Sequence, residues 1–243
     1  MPEDSESAAP TRSGPVLAVF AHPDDAEICA GGVLAKWAAG GREVHLLILT
    51  NGDRGSGDAA RDRAELAATR ADETEAAAKL LGLATARIHG IHDGDLQNTP
   101  ETQEPVVRRI REVGAETVVS CDPTAVFFEN RYYNHSDHRM AGWVALDAAF
   151  PAAGNPHFLP EHLAQGLEIQ DVPDVWLGWT NEPNHTEDIS GFFATKIEAL
   201  AAHDSQLSEG IKFFEEFLGK DAVREGKKLG VTHAESFRVL DLT

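Results

Sequence analysis

An α/β fold with a Rossmann-like, mostly parallel sheet is predicted by three features of this 243-residue chain. Short apolar runs alternate with longer Ala-, Leu- and Glu-rich stretches of helical period. Glycines punctuate the ends of those stretches, and residues with metal-binding or acid–base chemistry recur just after the apolar runs. Strands alternating with helices imply parallel pairing through right-handed crossovers. In such sheets, the loops at the carboxyl ends of the strands build the site. With 42% hydrophobic and 25% charged residues, the chain has material for one large core, so a single domain over 14–243 is expected.

The elements follow in order. The first 13 residues, MPEDSESAAPTRS, are polar and read as a frayed tail with no signal-peptide apolar region. Val16 to Phe20 is a buried strand. Ala26 to Ala39 is a helix stopped by Gly40-Gly41. Glu43 to Thr50 is a second strand, followed by the flexible loop Asn51 to Gly57. A long amphipathic helix runs from Ala59 to Leu81 and ends at Gly82. Ala84 to Ile88 is a third strand, Thr102 to Val113 a helix, and Thr117 to Cys121 a fourth strand. Ala141 to Ala149 is helical, residues 151–172 read as a proline-rich insertion, and Val175 to Trp179 is a late strand. Helical patterns occupy 189–203 and 208–229.

Forty acidic against twenty-one basic residues give a net charge of -19, which repels nucleic acid and anionic membrane surfaces. No apolar run approaches the roughly 20 residues of a membrane span. The two cysteines, Cys29 and Cys121, lie in apolar contexts and suit small buried hydrophobes, so a reducing cytoplasm is the simplest home.

The chemistry concentrates in two clusters. Ala21-His22-Pro23-Asp24-Asp25 follows the first strand, and Asn134-His135-Ser136-Asp137-His138 follows the fourth. His22 and Asp25 can face one point across a turn, and His138 can supply the third ligand of a catalytic zinc site with an open position for water. Asp24, beside the ligands yet free, is placed as general base. His135, one turn before His138, can stabilise an oxyanion, and Asp137 can hold its tautomer. Tyr133 is a further hydrogen-bond donor candidate. His89 and His92 share the HxxH spacing but lack a partner cluster, and Gly52-Asp-Arg-Gly55-Ser-Gly57 does not match a dinucleotide fingerprint.

With Thr50-Asn51-Gly52, Arg70-Ala71-Asp72-Glu73, Leu81-Gly82 and Asp93-Gly94, these motifs resemble the PIG-L or LmbE-like zinc-dependent N-deacetylases from about Val16 onward. The resemblance implies one zinc ion on His22, Asp25 and His138, Asp24 as base, and His135 held by Asp137 as transition-state stabiliser. It also implies a sugar contact from Arg70, and Asp93 is a candidate for binding sugar hydroxyls. Against these stand an Arg70–Glu73 surface pair and an Asp93-Gly94 turn. Ser136 stands where the family commonly has proline. His203-Asp204-Ser205-Gln206 and Ala234-Glu235-Ser236-Phe237 resemble late family signatures and read as structural.

The implied partner is a small N-acetylated amino-sugar conjugate, from which the enzyme removes acetyl. An amidase acting on a thiol conjugate is the second enzyme reading. A metal-clipped sugar-binding or regulatory module is the non-enzymatic one, although a structural zinc site would be closed by four ligands. His2Asp sites also accept iron, cobalt or manganese. The aromatic run Phe127-Phe128 with Tyr132-Tyr133 and the 151–172 insertion are expected to shape the substrate pocket. Whether the chain forms a homo-oligomer is left open by its sequence.

Overall fold

The computed structural model describes residues 12–243, so all but the last two residues of the predicted tail lie outside the described part. Its centre is a seven-stranded sheet in the order β3-β2-β1-β4-β7-β9-β8. Strands β1 (Val16–Phe20), β2 (Val44–Thr50), β3 (Thr85–Ile91), β4 (Thr117–Cys121) and β7 (Asp174–Gly178) pair in parallel. Strand β9 (Ala234–Asp241) runs antiparallel to β7, and β8 (His185–Asp188) antiparallel to β9.

β1 shows why its sequence is continuously apolar. Its alternate residues Val16, Ala18 and Phe20 enter the core under helix α1 (Asp25–Ala39). Leu17 and Val19 enter the opposite core, with Val106 and Ile110 of α3 (Pro100–Val113) and Val144 of α4 (Ser136–Asp147). A strand covered on both faces has no solvent side on which to place polar residues. Helices α2 (Arg63–Leu81) and α6 (Phe193–Ala201) add a smaller cluster through Ala77, Leu81 and Ala199 against Ala35. No helix among the described residues is long and apolar enough to cross a membrane.

Local chemistry explains where the elements begin. α2 starts at Arg63 rather than Ala59 because Asp62 caps it, its side chain accepting the Glu65 N–H at 2.9 Å. α3 starts earlier than expected, with Pro100 in its first turn. α4 begins within the second histidine cluster, and His135 is its N-cap. Gly142 lets α4 approach β4, since a Cβ there would lie 2.3 Å from the Cys121 carbonyl oxygen.

Other expectations are corrected. The helix expected over 189–203 is confined to Phe193–Ala201, and the 208–229 pattern becomes α7 (Ile211–Leu229). Residues 151–172 hold a short helix, α5 (Pro160–Ala164), and none of them lines the large cavity. They are tied to α3 instead, with Arg111 donating to the carbonyls of Ala152 at 3.0 Å and Ala153 at 3.1 Å. The aromatic run forms a small antiparallel hairpin, β5 (Phe127–Phe128) and β6 (Tyr132–Tyr133).

The chain proceeds from β1 to β2 and β3 on one side, then continues with β4 and β7 on the other. That reversal opens a crevice beyond the carboxyl ends of β1 and β4. The loops carrying both histidine clusters leave from those ends.

Candidate active site

Three side chains meet at the crevice. His22 Nδ1 lies 3.2 Å from His138 Nε2 and 3.4 Å from Asp25 Oδ2, and His138 Nε2 lies 3.1 Å from Asp25 Oδ1. Zinc bonds of about 2.0–2.1 Å in a tetrahedral arrangement put ligand atoms about 3.3 Å apart, so the spacing of these donors fits such an ion. The electrostatics agree. Burial opposes a charge on His22, yet Asp25, Asp137 and Asp93 outweigh it and raise its pKa from 6.5 to about 12. Such a pocket attracts positive charge.

Neighbouring groups aim both imidazoles. His138 Nδ1 sits 2.9 Å from Asn134 Oδ1, so that nitrogen carries the proton and Nε2 keeps its lone pair for the centre. Asn134 is fully buried and donates to the Ala125 carbonyl at 2.9 Å. His22 Nε2 lies 3.2 Å from Asp93 Oδ1 and 3.4 Å from Asp137 Oδ2. These two carboxylates orient His22 so that Nδ1 points inward.

That arrangement changes the part expected of Asp137. Its Oδ2 accepts the Gly94 N–H at 2.6 Å and faces His22, not His135. His135 is met by the Asp137 backbone N–H, which donates to its Nδ1 at 3.2 Å. The helical turn explains the exchange: a residue two places past the N-cap offers its N–H back to the cap side chain. His135 is therefore the tautomer protonated on Nε2, with its ring 4.8 Å from that of His22. Burial and the neighbouring His22 hold its pKa below the usual 6.5, so the ring is a neutral donor.

Asp24 is held in a strained conformation, with φ at 109° and ψ at -22°, as the N-cap of α1. This left-handed region is unfavourable for residues with a Cβ and persists where the surroundings enforce it. Burial pushes its carboxyl up to about 6, with Asp25 adding to the rise and Arg70, His203 and His22 opposing it. Arg70 is buried, 3.3 Å from Asp24 Oδ1, and donates to the carbonyls of Gly52 at 3.1 Å and of Pro23. It is not the surface partner of Glu73, which instead accepts from Ser205. Gly52 matches this packing: at φ 62° its missing Cβ would collide with the Arg70 guanidinium.

Asp93 is drawn inward by the Asp53 carboxylate, which accepts its backbone N–H at 3.1 Å. Tyr133 is exposed, and its hydroxyl accepts from Arg139 at 2.7 Å; it does not line the cavity, whereas its neighbour Tyr132 does. Tyr132, with Phe128, lines the cavity as expected of the aromatic run, whereas Asn134, Asp53 and Trp179, whose ring lies 4.9 Å from that of His138, were given no role from the sequence. Only Asn134 had a signal there, as the residue four before His138, one turn away on a helix. Among the described residues, two further three-residue groupings around His22 bring their ligand atoms within reach of one ion, one with His135 and His138, the other with Asp93 and Asp137; Asp25 is in neither, although it lies 3.4 Å from His22 Nδ1 and 3.1 Å from His138 Nε2. His89 and His92 join neither.

Comparison with known proteins shows the family to which the chain belongs. The family model for PIG-L, GlcNAc-PI de-N-acetylase, matches residues 17–149. The chain is 34% identical to diacetylchitobiose deacetylase of Thermococcus kodakarensis, over 92% of this chain and 82% of that protein. It is 30% identical to a 1D-myo-inositol 2-acetamido-2-deoxy-alpha-D-glucopyranoside deacetylase of Catenulispora acidiphila, over 85% of this chain and 80% of that one. The inhibitor-complexed N,N'-diacetylchitobiose deacetylase from Pyrococcus horikoshii superposes with a TM-score of 0.86 at 30% identity, covering 94% of this chain and 84% of that one.

Proposed function

Because the chain belongs to the PIG-L family of GlcNAc-PI de-N-acetylases, we propose that it hydrolyses the acetamide of an N-acetylglucosamine-type unit in a small conjugate, using a zinc ion. One domain, residues 14–243, carries this activity. The observation that supports the reading best is the convergence of His22, Asp25 and His138 within 3.4 Å of one another, with the Asp24 carboxylate left outside the set.

In this reading His22 Nδ1, an Asp25 oxygen and His138 Nε2 hold the metal. When bound, zinc supplies Lewis acidity, making water nucleophilic near neutral pH and polarising the acetyl carbonyl. Asp24 takes the proton from the attacking water. The Nε2–H of His135 donates to the oxygen on which negative charge develops. As the carbon–nitrogen bond breaks, the proton on Asp24 passes to the departing nitrogen, leaving acetate and a free amine. Arg70 keeps Asp24 aimed, while Asp93 and Asp137 keep His22 aimed.

A free base beside an incomplete ligand set favours catalysis over a structural clip, because a structural zinc site is closed by four protein ligands. The test is acetate release from N-acetylglucosaminyl glycosides by zinc-loaded protein. Acetate with an equimolar amine supports the reading; cleavage of a thiol-conjugate amide with no acetate from any glycoside replaces it with the amidase.

A further inference from the structure

The cavity at the crevice, about 740 Å³, is of a size that encloses a drug-sized ligand. Its catalytic end is polar. Aromatic and aliphatic side chains also line it, Phe214, Phe217 and Leu218 of α7, Phe128 and Tyr132 of the hairpin, and Trp179 after β7, interleaved with charged pairs. Phe217 is 54% exposed and its ring lies parallel to that of Phe213, 6.4 Å between centroids. Large apolar rings left in water beside a cavity gain free energy when a ligand covers them.

The charges sort the ligands that fit. Lys196 pairs with Glu235 at 2.6 Å, Arg224 with Asp221 at 2.6 Å and Glu225 at 3.1 Å, and Arg70 with Asp24 at 3.3 Å. Every lysine and arginine lining the cavity is therefore matched by an acid. A phosphate or carboxylate on the aglycone would meet Asp221 and Glu225 with no uncommitted cation to receive it.

We infer that the substrate carries an uncharged, apolar aglycone, best an aromatic one, covered by the Phe214–Phe217 face of α7 while the acetamide lies against Asp24 and His135. The inference rests on the deacetylase reading of the same site. It narrows that reading to a class of conjugate selected by apolar contact and by the absence of a free cation.

Three probes test it with purified zinc-loaded protein: the 4-nitrophenyl and methyl glycosides of N-acetylglucosamine, and N-acetylglucosamine 1-phosphate. The aryl glycoside is expected to exceed the methyl glycoside in kcat/KM by about tenfold, mostly through KM, as one covered ring suggests. The phosphate should be the poorest. Phe217→Ala, at a half-exposed position that folding tolerates, should bring the aryl-to-methyl ratio close to one. Equal kcat/KM for the two glycosides, preference for the phosphate, or a uniform loss in Phe217→Ala overturns the inference and leaves the deacetylase reading intact. A change of molecular mass in light scattering on Phe217→Ala also overturns it, by making the face a contact between copies of the chain. Absence of acetate from all three probes removes the deacetylase reading itself.

Discussion

The Nδ1 atom of His138 lies 2.9 Å from Oδ1 of Asn134, one turn earlier in the chain. This contact decides which nitrogen of His138 faces His22 and Asp25, the proposed metal ligands. Outer partners of this kind fix the tautomer of a ligand imidazole and raise its basicity. Asn134→Ala is expected to weaken zinc binding by about 10- to 100-fold. Competition against a chelator of known affinity measures it. Unchanged affinity in a folded variant would show that His138 does not depend on Asn134.

Asp24 has a different task. It contributes no atom to the closest donor trio, so Asp24→Asn should keep zinc at full stoichiometry while losing about 10²- to 10⁴-fold in kcat, the usual contribution of a general base. Asparagine also tolerates the left-handed backbone at this position, which limits the structural disturbance. Metal analysis alongside single-turnover acetate release separates the two effects. A variant that loses zinc and activity together would place Asp24 among the ligands.

The contrast between these two residues shows what the chain reveals as text. His22, Asp24 and Asp25 were readable because they lie within four residues and follow a strand buried on both faces. The parallel sheet was readable for the same reason, since doubly covered strands leave uninterrupted apolar runs. β8 was not, because His-Thr-Glu-Asp at a sheet edge carries no apolar alternation. Glu235 was read only as part of a family signature. Its work is long-range, accepting from Lys196 at 2.6 Å and from the backbone of Val33 in α1 at 2.8 Å. No spacing rule brings residues 33, 196 and 235 together. Asp137 shows the same limit at atomic scale: its membership of the site was legible, but the turn geometry decided which histidine its carboxylate would face.

Arg70 separates two roles by experiment. A side chain that only touched sugar would raise KM on removal and leave the fold untouched. Here the guanidinium is 2% exposed and satisfies two carbonyls and the Asp24 carboxylate. Arg70→Met strands those acceptors, and the expected cost is about 3 kcal/mol of stability together with a fall in kcat. Denaturant unfolding measures the first and steady-state kinetics the second. An elevated KM with unchanged stability would restore the sugar contact as its main role.

Asp174 gives a pH dependence away from the catalytic site. It opens β7 at 1% exposure, receives the Trp176 indole N–H at 3.3 Å, and leaves Oδ1 without a partner. Burial lifts its carboxyl above the usual 3.8, against hydrogen bonds from Thr117 and Trp176 and the charge of Arg42. The folded state thus binds this proton more tightly than the unfolded state. Its contribution is therefore most favourable below 3.8 and is lost as the pH rises through the folded value, so the charged carboxylate costs stability at neutral pH. Asp174→Asn keeps the shape without the charge. Its melting temperature should exceed that of the native chain at pH 7 by on the order of a few degrees, with the gain shrinking towards zero near pH 4. Thermal melts across that range decide the sign; a gain that grows as the pH falls would contradict the burial argument.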